Sequence, residues 1–221
     1  MSMFSIIKTG MNAANKDLAV ISNNIANVST NGFKRSEAQF ESMYFSQHNN
    51  STEIATGMGV KNIKPRQSFS QGSFQQTGGS LDLAIMGEGF FILGGPININ
   101  GVTNENEKFN YTRDGSFQVD QLGNIVNTDG LPLMGAGKVP INVPVTLVNE
   151  DGDPLIMSEI RVTEEGSIQV TYGLDDTRTV GKILLADFIN EHGLQNVGNA
   201  RFTETPESGI PTEAFAKEAT M

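Results

Sequence analysis

The sequence predicts an α+β protein in which a long amphipathic N-terminal helix and an extended arm lead into a mainly antiparallel β domain. Apolar residues recur every three or four positions from Phe4 to Val28, which is typical of a helix with one apolar face. From Val60 onward the apolar residues follow the spacing of extended segments instead. The 24 glycines among 221 residues supply turns between short strands. These observations together predict the fold class.

The apolar face of the predicted helix keeps a heptad pattern, and we call it the heptad stripe. Its members are Phe4, Ile7, Met11, Ala14, Leu18, Ile21, Ile25 and Val28. A single helix cannot bury such a stripe against itself, so the pattern predicts a partner helix from the same chain or from neighbours. The alternative is an ordinary amphipathic helix docked on a globular core. A helix lying on a membrane surface is disfavoured, because the polar face has only two lysines and no Trp anchors it.

A polar break follows the helix and predicts a turn into the arm. Asn, Ser and Thr side chains favour hydrogen bonds to the backbone over helix continuation, and a glycine readily adopts a positive φ. The helix is therefore expected to end between Asn27 and Asn31, with an aromatic side chain anchoring the extended exit. The residues predicted to form this helix-to-arm turn are Asn24, Asn27, Thr30, Gly32 and Phe33.

The same stretch resembles the start of the bacterial flagellar axial proteins, the rod and hook family. Residues 23–35 read NNIANVSTNGFKR and match the family form NNIAN-x-x-T-x-GFK. Further family strings follow in order: FSQG-x-x-x-x-T from Phe69, LDLAI-x-G-x-GFF from Leu81, YTRDGSF-x-V-D-x-x-G-x-x-V from Tyr111, and GL-x-x-x-GN-x-x-F-x-E-T-x-x-SG from Gly193. The resemblance extends from Phe4 to Gly209.

The resemblance implies a structural subunit of the basal-body rod that self-assembles into a helical tube and transmits torque. It implies subunit packing through Phe4, Ile7, Met11, Leu18, Ile21 and Ile25. The implied partners are further copies, other rod and hook proteins and the flagellar export apparatus. The implied location is the rod that spans the periplasm, reached by export without a cleaved signal peptide.

Three alternatives remain open beside the rod subunit. A short hook protein of the same family is disfavoured by the modest length between Gly130 and Glu159, which leaves little room for an inserted domain. A non-polymerising export adaptor would bind one partner stoichiometrically. A cell-wall hydrolase with an axial-like domain would lose activity when Asp114 is replaced by Asn.

The predicted organisation has four parts. They are a helix and turn over residues 1–35, an extended arm or linker over 36–80, a β-rich domain over 81–205 and an exposed tail over 206–221. Family members normally continue past Ser208 and Gly209 into a second heptad helix that lies against the first. No second heptad segment follows Ser36, so we expect the partner of the heptad stripe to come from outside this sequence.

Local patterns predict the elements in chain order. Residues 36–44 are expected to form a short helix or irregular arm, and the polar run 47–59 an exposed loop. Strands are predicted at 81–85 and 90–93, an extended rim at 139–147, and a strand or short helix at 182–189. Glycine turns predict hairpins near 114–126 and 160–170.

Composition argues against several classes of function. The net charge is −10 and the basic residues are scattered, whereas a nucleic-acid-binding protein would show a clustered basic face. No run of eighteen apolar residues predicts a membrane span, and no basic segment followed by an apolar core predicts a signal peptide. Because cysteine is absent, thiol catalysis and thiolate metal sites are excluded.

The sequence predicts no catalytic, cofactor-binding or metal-binding site. The histidines and the acidic residues beside glycines are expected in loops and turns, and Gly87-Glu88-Gly89 lacks the third glycine of a dinucleotide loop. The candidates set aside in this way are His48, His192, Asp114, Asp120, Asp129, Asp151 and Asp153.

Overall fold

The chain forms two compact units in the structure, a computed structural model that describes residues 3–49, 52–95, 108–148, 154–173 and 176–216. Unit 1 is Met1–Ser70 and unit 2 is Gln71–Met221. A helix begins the chain and antiparallel sheets make up most of the remainder, which confirms the predicted α+β class.

Unit 1 is one long helix lying against a β-hairpin. Helix α1 is Met3–Ala26, and it contacts both the hairpin and a short strand pair. The hairpin strands pair antiparallel over their whole length, with a β-bulge between Met43 and Tyr44. The strands of this unit are β1 (Ser36–Glu37), β2 (Phe40–Asn49), β3 (Thr52–Asn62) and β4 (Arg66–Gln67), with β1 paired to β4 and β2 paired to β3.

The hairpin overturns two sequence expectations. Residues 36–44 were expected as a helix or irregular arm and 47–59 as a loop, but strands β2 and β3 occupy most of both stretches. The many Asn, Ser, Thr, Gln and Gly residues of these strands hide the strand signal in the sequence. Cross-strand backbone hydrogen bonds and the packing of β3 on α1 hold it in place instead.

Unit 2 contains the remaining strands and two short 3-10 turns at Ala136–Lys138 and Glu191–Gly193. The strands are β5 (Phe90–Leu93), β6 (Asn110–Thr112), β7 (Phe117–Val119), β8 (Ile125–Asn127), β9 (Thr146–Val148), β10 (Pro154–Val162), β11 (Ser167–Tyr172), β12 (Asp176–Lys182), β13 (Leu184–Asp187), β14 (Gln195–Gly198), β15 (Arg201–Thr203) and β16 (Thr212–Phe215).

Two antiparallel sheets and one hairpin organise these strands. One sheet has six strands in the order β14-β15-β6-β5-β13-β16, and the other has four in the order β12-β11-β10-β9. The hairpin β7-β8 stands beside them. Ile183 joins β12 to β13, so a single extended stretch of chain runs from the four-stranded sheet into the six-stranded one.

The main core of unit 2 lies between the two sheets and the hairpin. It gathers large aliphatic and aromatic side chains from both sheets, and the burial of each such side chain contributes roughly 1.5–3 kcal/mol. Its buried members are Phe91, Leu93, Phe117, Ile125, Leu131, Leu133, Ile141, Val143, Ile160, Ile168, Val170, Tyr172, Ile183 and Leu185.

Three of these core residues form a closed ring of backbone hydrogen bonds. The Ile125 amide donates to the Ile141 carbonyl (3.0 Å), Ile141 donates to Leu133 (3.0 Å), and Leu133 donates to Ile125 (2.8 Å). The three residues are spaced eight apart, and their side chains are buried. Tight turns at 127–130 and 135–138 separate them. This segment is therefore a small triangular prism.

The second face of the six-stranded sheet has an aromatic cluster. The Phe90 ring meets the rings of Phe188 and Phe202 edge to face, with centroids 5.9 and 5.8 Å apart. Burial, followed by the nearby carboxylates of Glu204 and Glu213, raises the pKa of Tyr111 in the same cluster. Both faces of β5 are thus covered, as its run of apolar residues predicts.

Several predicted elements of unit 2 are confirmed. The hairpins β7-β8 and β10-β11 form where glycine turns predicted them, and Ile160 lies opposite Val170. The stretch predicted as a strand or short helix at 182–189 contains strand β13. Residues 139–147 form an extended rim with isolated bridges, ending in the short strand β9.

The strand predicted at 81–85 is not a regular strand. Its apolar residues do point inward, but only Asp82 forms a ladder bridge, to Ser116. The Leu83 amide donates to the carbonyl of Gly115 (2.9 Å), and the Phe117 amide at the start of β7 donates to the Leu81 carbonyl (3.4 Å), so the backbone docks through isolated bonds and not through a regular ladder.

Strand β16 lies within the range 206–221, which was expected to form an exposed tail. Thr212–Phe215 pairs antiparallel with β13, from Thr212 opposite Asp187 to Phe215 opposite Leu184. The Lys182 ammonium lies 4.6 Å from the centroid of the Phe215 ring, and Lys138 forms an ion pair with Glu213 (2.5 Å). The pairing partner lies nearly thirty positions earlier in the sequence, which is why local patterns missed it.

Candidate functional site

The heptad stripe of α1 is open in the structure. Its large side chains remain well exposed, from 44% at Ile21 to 83% at Phe4, and Leu18 is 61% exposed. No other described part of unit 1 covers them. The predicted packing residues Phe4, Ile7, Met11, Leu18, Ile21 and Ile25 therefore lie along one accessible face of the helix.

A neighbouring face of α1 packs inside unit 1 instead. We call it the inner face; its members are Thr9, Ala13, Val20, Asn24 and Asn27, which are buried or half-buried. They also recur at three- and four-residue steps, so they line one side of the helix. All of them except Val20 are small or polar, which allows close approach to the hairpin and leaves the large apolar side chains of the heptad stripe free.

Thr9 sets the distance between the helix and the hairpin. Its hydroxyl donates to the Ile6 carbonyl (2.7 Å) and accepts from the Val60 amide (3.4 Å). Gly59 has a φ of +96°, and a Cβ at that position would overlap the Thr9 hydroxyl. Sequence reasoning missed both residues, because Gly59 stood in a stretch interpreted as an exposed loop.

Asn24 fastens the end of the helix to strand β1. Its amide nitrogen donates to the Ser36 carbonyl (2.8 Å), and its amide oxygen accepts from the Ser36 amide (2.9 Å). The side chain thus pairs with one residue of β1 as a neighbouring strand would. This two-bond arrangement uses both atoms of the carboxamide, which has a donor and an acceptor side by side on one planar group.

The other predicted turn residues also take part in the turn. The Asn27 side chain donates to the Asn23 carbonyl (2.9 Å) and accepts from the Thr30 hydroxyl (3.3 Å). Gly32 has a φ of +67°, the left-handed conformation expected of a glycine there. The Phe33 amide donates to the Thr30 carbonyl (3.3 Å), and its side chain is half-buried.

Lys34 is a structural residue that sequence reasoning missed. It is buried, and its ammonium donates to the carbonyls of Phe69 (3.3 Å) and Ser70 (2.9 Å). The Ser68 amide also donates to the Arg35 carbonyl (2.9 Å). The chain leaving the turn is therefore bound to the last residues of unit 1, and the only signal in the sequence was a lysine directly after an aromatic anchor.

Replacing Asn24 by Asp should loosen the junction between α1 and β1. The carboxylate still accepts from the Ser36 amide, but it loses the donor to the Ser36 carbonyl and places a charge against that oxygen. One lost hydrogen bond costs about 1 kcal/mol. Because the carboxylate repels the Ser36 carbonyl oxygen, the junction should open more often. We therefore expect the Ser36 amide to exchange with solvent severalfold faster, as measured by hydrogen exchange.

Asn15→Asp is the matched control, because Asn15 is exposed on the same helix and the charge change is the same. Exchange at Ser36 should be unchanged in this control. Equal exchange rates in both variants would contradict the role assigned to Asn24.

The acidic candidates for catalysis serve local turns. The Asp114 carboxylate accepts from the Ser116 amide (3.2 Å) and hydroxyl (2.9 Å), and Asp120 accepts from the amides of Leu122 (2.8 Å) and Asn124 (2.7 Å). Asp129 pairs with Arg201 and accepts from Asn199.

The described residues offer neither a metal-binding cluster nor a membrane-spanning helix. They contain no group of three or more His, Asp or Glu side chains arranged to hold a metal ion. Their one long helix is too polar to cross a membrane. His192 lies in the 3-10 turn after β13, His48 lies in β2, and Asp151 and Asp153 fall outside the described ranges.

Comparison with known proteins gives two family matches. Residues 84–170 match the family described as the flagellar hook protein FlgE/F/G D1 domain, and residues 7–34 match the flagella basal body rod protein family. The first match falls within unit 2 and the second covers most of α1 and the turn.

Individual relatives extend the similarity to nearly the whole chain. The flagellar basal-body rod protein FlgG of Buchnera aphidicola from Schizaphis graminum is 35% identical over 94% of this chain and 76% of its own length. FlgG of Caulobacter vibrioides is 34% identical over 95% and 76%. The flagellar hook protein FlgE of Salmonella typhimurium is 32% identical over 89% of this chain and 47% of its own length.

Proposed function

Because this chain belongs to the family of flagellar rod and hook proteins, we propose that it is a structural subunit of the basal-body rod. In this role it assembles with further copies into a helical tube that transmits torque. The observation that supports the proposal is the open heptad stripe on α1, a long apolar surface that its own unit leaves uncovered.

Assembly would cover this stripe with helices of neighbouring subunits. Full burial of a large apolar side chain gains roughly 1.5–3 kcal/mol, and the heptad spacing suits knobs-into-holes packing between helices. The helices would form an inner layer of the tube and unit 2 would belong to its outer wall. Contacts between unlike surfaces of identical subunits propagate without closing, which generates a helical tube.

The turn after α1 would hold the helix in a fixed position relative to the strands of unit 1 during assembly. The Asn24 pairing and the Lys34 contacts tie both ends of the turn to backbone groups. A tube under torque needs such a rigid junction, because a loose one would let the inner layer turn without the rest of the subunit. The role of Asn24, Asn27, Thr30, Gly32 and Phe33 is therefore positional.

We propose a rod subunit in preference to a hook subunit. The FlgG relatives match over about three quarters of their length, whereas the hook relative contains a long portion with no counterpart in this chain. The proposed partners are further copies, other rod and hook proteins and the export apparatus. The proposed location is the rod across the periplasm, reached without a cleaved signal peptide, and the protein acts there without catalysis.

Cryo-electron microscopy of basal bodies from cells making this chain tests the proposal. We expect density for unit 2 along the rod, with α1 packed against helices of neighbouring subunits. Density confined to the hook would reassign the protein within its family, and absence from the whole axial structure would refute the proposal.

A further inference from the structure

Three large apolar side chains lie exposed at one end of the six-stranded sheet in unit 2. Ile189 is 94% exposed, Ile210 is 87% exposed and Met86 is 75% exposed. Ile189 follows the end of β13, Ile210 precedes β16, and Met86 precedes β5. We call these three residues the apolar tip.

The sheet order brings the members of the apolar tip to the same end of the sheet. Strands β5, β13 and β16 are consecutive neighbours, with Phe90 opposite Ala186 and Asp187 opposite Thr212. Ile189 lies two residues after Asp187 and Ile210 two residues before Thr212, so both follow from the last pair of the β13-β16 ladder at the same end of the sheet. Exposed apolar side chains grouped at one place on a surface typically mark an interaction site.

Acidic residues predominate in the segments of chain that contain or flank the apolar tip. The segments 86–89, 187–193 and 204–213 contain six acidic residues and no lysine or arginine. Glu191 and Glu213 form ion pairs with Arg113 and Lys138. Glu88 and Glu207 are exposed and form no ion pair with any described residue, so the tip presents negative charge around an apolar centre.

The two units of the chain differ strongly in charge. Residues 1–70 have seven Lys or Arg and four Asp or Glu, a net charge of +3, while residues 71–221 have eight and twenty-one, a net charge of −13. The negative charge of the protein therefore belongs to unit 2. A positively charged surface of unit 1 on another copy would be electrostatically complementary to it.

Residues 61–66 form an exposed basic segment in unit 1. It contains Lys61, Lys64 and Arg66 with no acidic residue, and Ile63 is exposed among them. Glu41 lies across the ladder from Lys61, and Glu37 from Arg66. Lys64 lies between the two ladders and forms no ion pair with a described residue. The segment thus offers the exposed Ile63 beside the positive charge of Lys64, the complement of the apolar tip.

We propose that the apolar tip of one copy docks on the basic segment 61–66 of a second copy. This inference rests on the self-assembly proposed above and adds a contact separate from the heptad stripe. The two surfaces are unlike and occur once in each chain, so every added copy presents a free tip or a free segment to the next. Such a contact extends a helical assembly instead of closing a dimer.

Cross-linking between two single-cysteine chains tests the contact directly, since the native chain has no cysteine. Whole chains with Ile210→Cys are mixed with whole chains with Ile63→Cys and treated with a short bis-maleimide. We expect a heterodimer, and its yield should fall severalfold at high salt because salt screens exposed charges. Ile156→Cys replaces Ile210→Cys in the control, because Ile156 is a comparably exposed isoleucine of unit 2 away from the tip.

Charge exchange tests the electrostatic part of the contact. Glu207→Lys in the tip chain, or Lys64→Glu in the segment chain, should each lower the heterodimer yield about fivefold, as expected for surface charge pairs. Combining the two reversed chains should restore the yield. Failure of the combination to restore it would refute the charge complementarity.

A third cross-link separates this inference from the proposed function. Leu18→Cys chains should cross-link to one another through the heptad stripe. If they do so while the Ile210→Cys and Ile63→Cys pair yields no more heterodimer than the control, the tip contact is refuted and self-assembly stands. Cross-linking mainly between two Ile210→Cys chains also refutes it, because the tip then meets a tip. If neither pair cross-links, both proposals fail.

Discussion

A chain with Leu18→Asp is expected to fold normally and to be excluded from the rod. Leu18 is mostly exposed on α1, so the substitution removes little packing within the described part of unit 1. In an assembled helix layer the new carboxylate would be buried without a partner, which costs several kcal/mol. Each 1.4 kcal/mol is a factor of ten in an association constant, so incorporation into basal bodies should fall well over tenfold.

Asn12→Asp provides the matched control for this experiment. It adds the same charge to the polar side of the same helix, where Asn12 is exposed. Incorporation is measured by immunoblotting purified basal bodies, and circular dichroism of the soluble chains checks that both variants fold. Native incorporation of the Leu18→Asp chain would show that the heptad stripe is not a packing surface.

Gly115→Ala is expected to destabilise unit 2 strongly, although it adds a single methyl group. A Cβ at Gly115 would overlap the backbone carbonyl oxygen of Leu83, which cannot rotate away as a flexible side chain can. The same shift would break the hydrogen bond from the Leu83 amide to the Gly115 carbonyl. We expect a loss of about 3 kcal/mol in the free energy of unfolding.

Chemical denaturation followed by circular dichroism measures this loss. Thermal unfolding should show a Tm lower by roughly 10 °C for a unit of this size. Gly72→Ala is the control, because a Cβ there meets nothing within 4 Å. If both variants unfold at the same denaturant concentration, the 81–85 segment does not pack against the loop at Gly115 as described.

Apolar spacing and turn residues predicted the elements that can be recognised from their own residues alone. The heptad stripe predicted α1 because all its apolar positions except Val28 lie within the helix Met3–Ala26. The glycine turns predicted the hairpins β7-β8 and β10-β11 because turn chemistry fixes which residues pair across them. The open state of the stripe also followed, since no second heptad segment was present in the sequence.

Contacts between distant residues were beyond such patterns. Strand β16 pairs with a strand almost thirty residues earlier, and its own sequence gives no alternation that reveals the partner. Lys34 resembles a surface lysine until the carbonyls of Phe69 and Ser70 are placed around its ammonium. The hairpin β2-β3 escaped notice because α1, not a second sheet, covers it.

The turn site was predicted by residue type but not by role. Asn24 was expected to belong to the helix-to-arm turn, but the sequence did not indicate that its carboxamide pairs with Ser36. Only the fold shows which backbone groups a side chain reaches. Glycine is likewise needed at position 59 because Thr9, fifty positions away on α1, approaches too closely to leave room for a side chain.

A twisting load on unit 2 would meet unusual resistance in the prism formed by Ile125, Leu133 and Ile141. A two-stranded ladder pulled from one end opens bond by bond, because the force concentrates on the outermost pair. A closed ring offers no outermost pair, and the loss of any one bond leaves its three residues connected through the other two. In a shaft that turns under load, this segment would stay rigid, and the hairpins around it would open first.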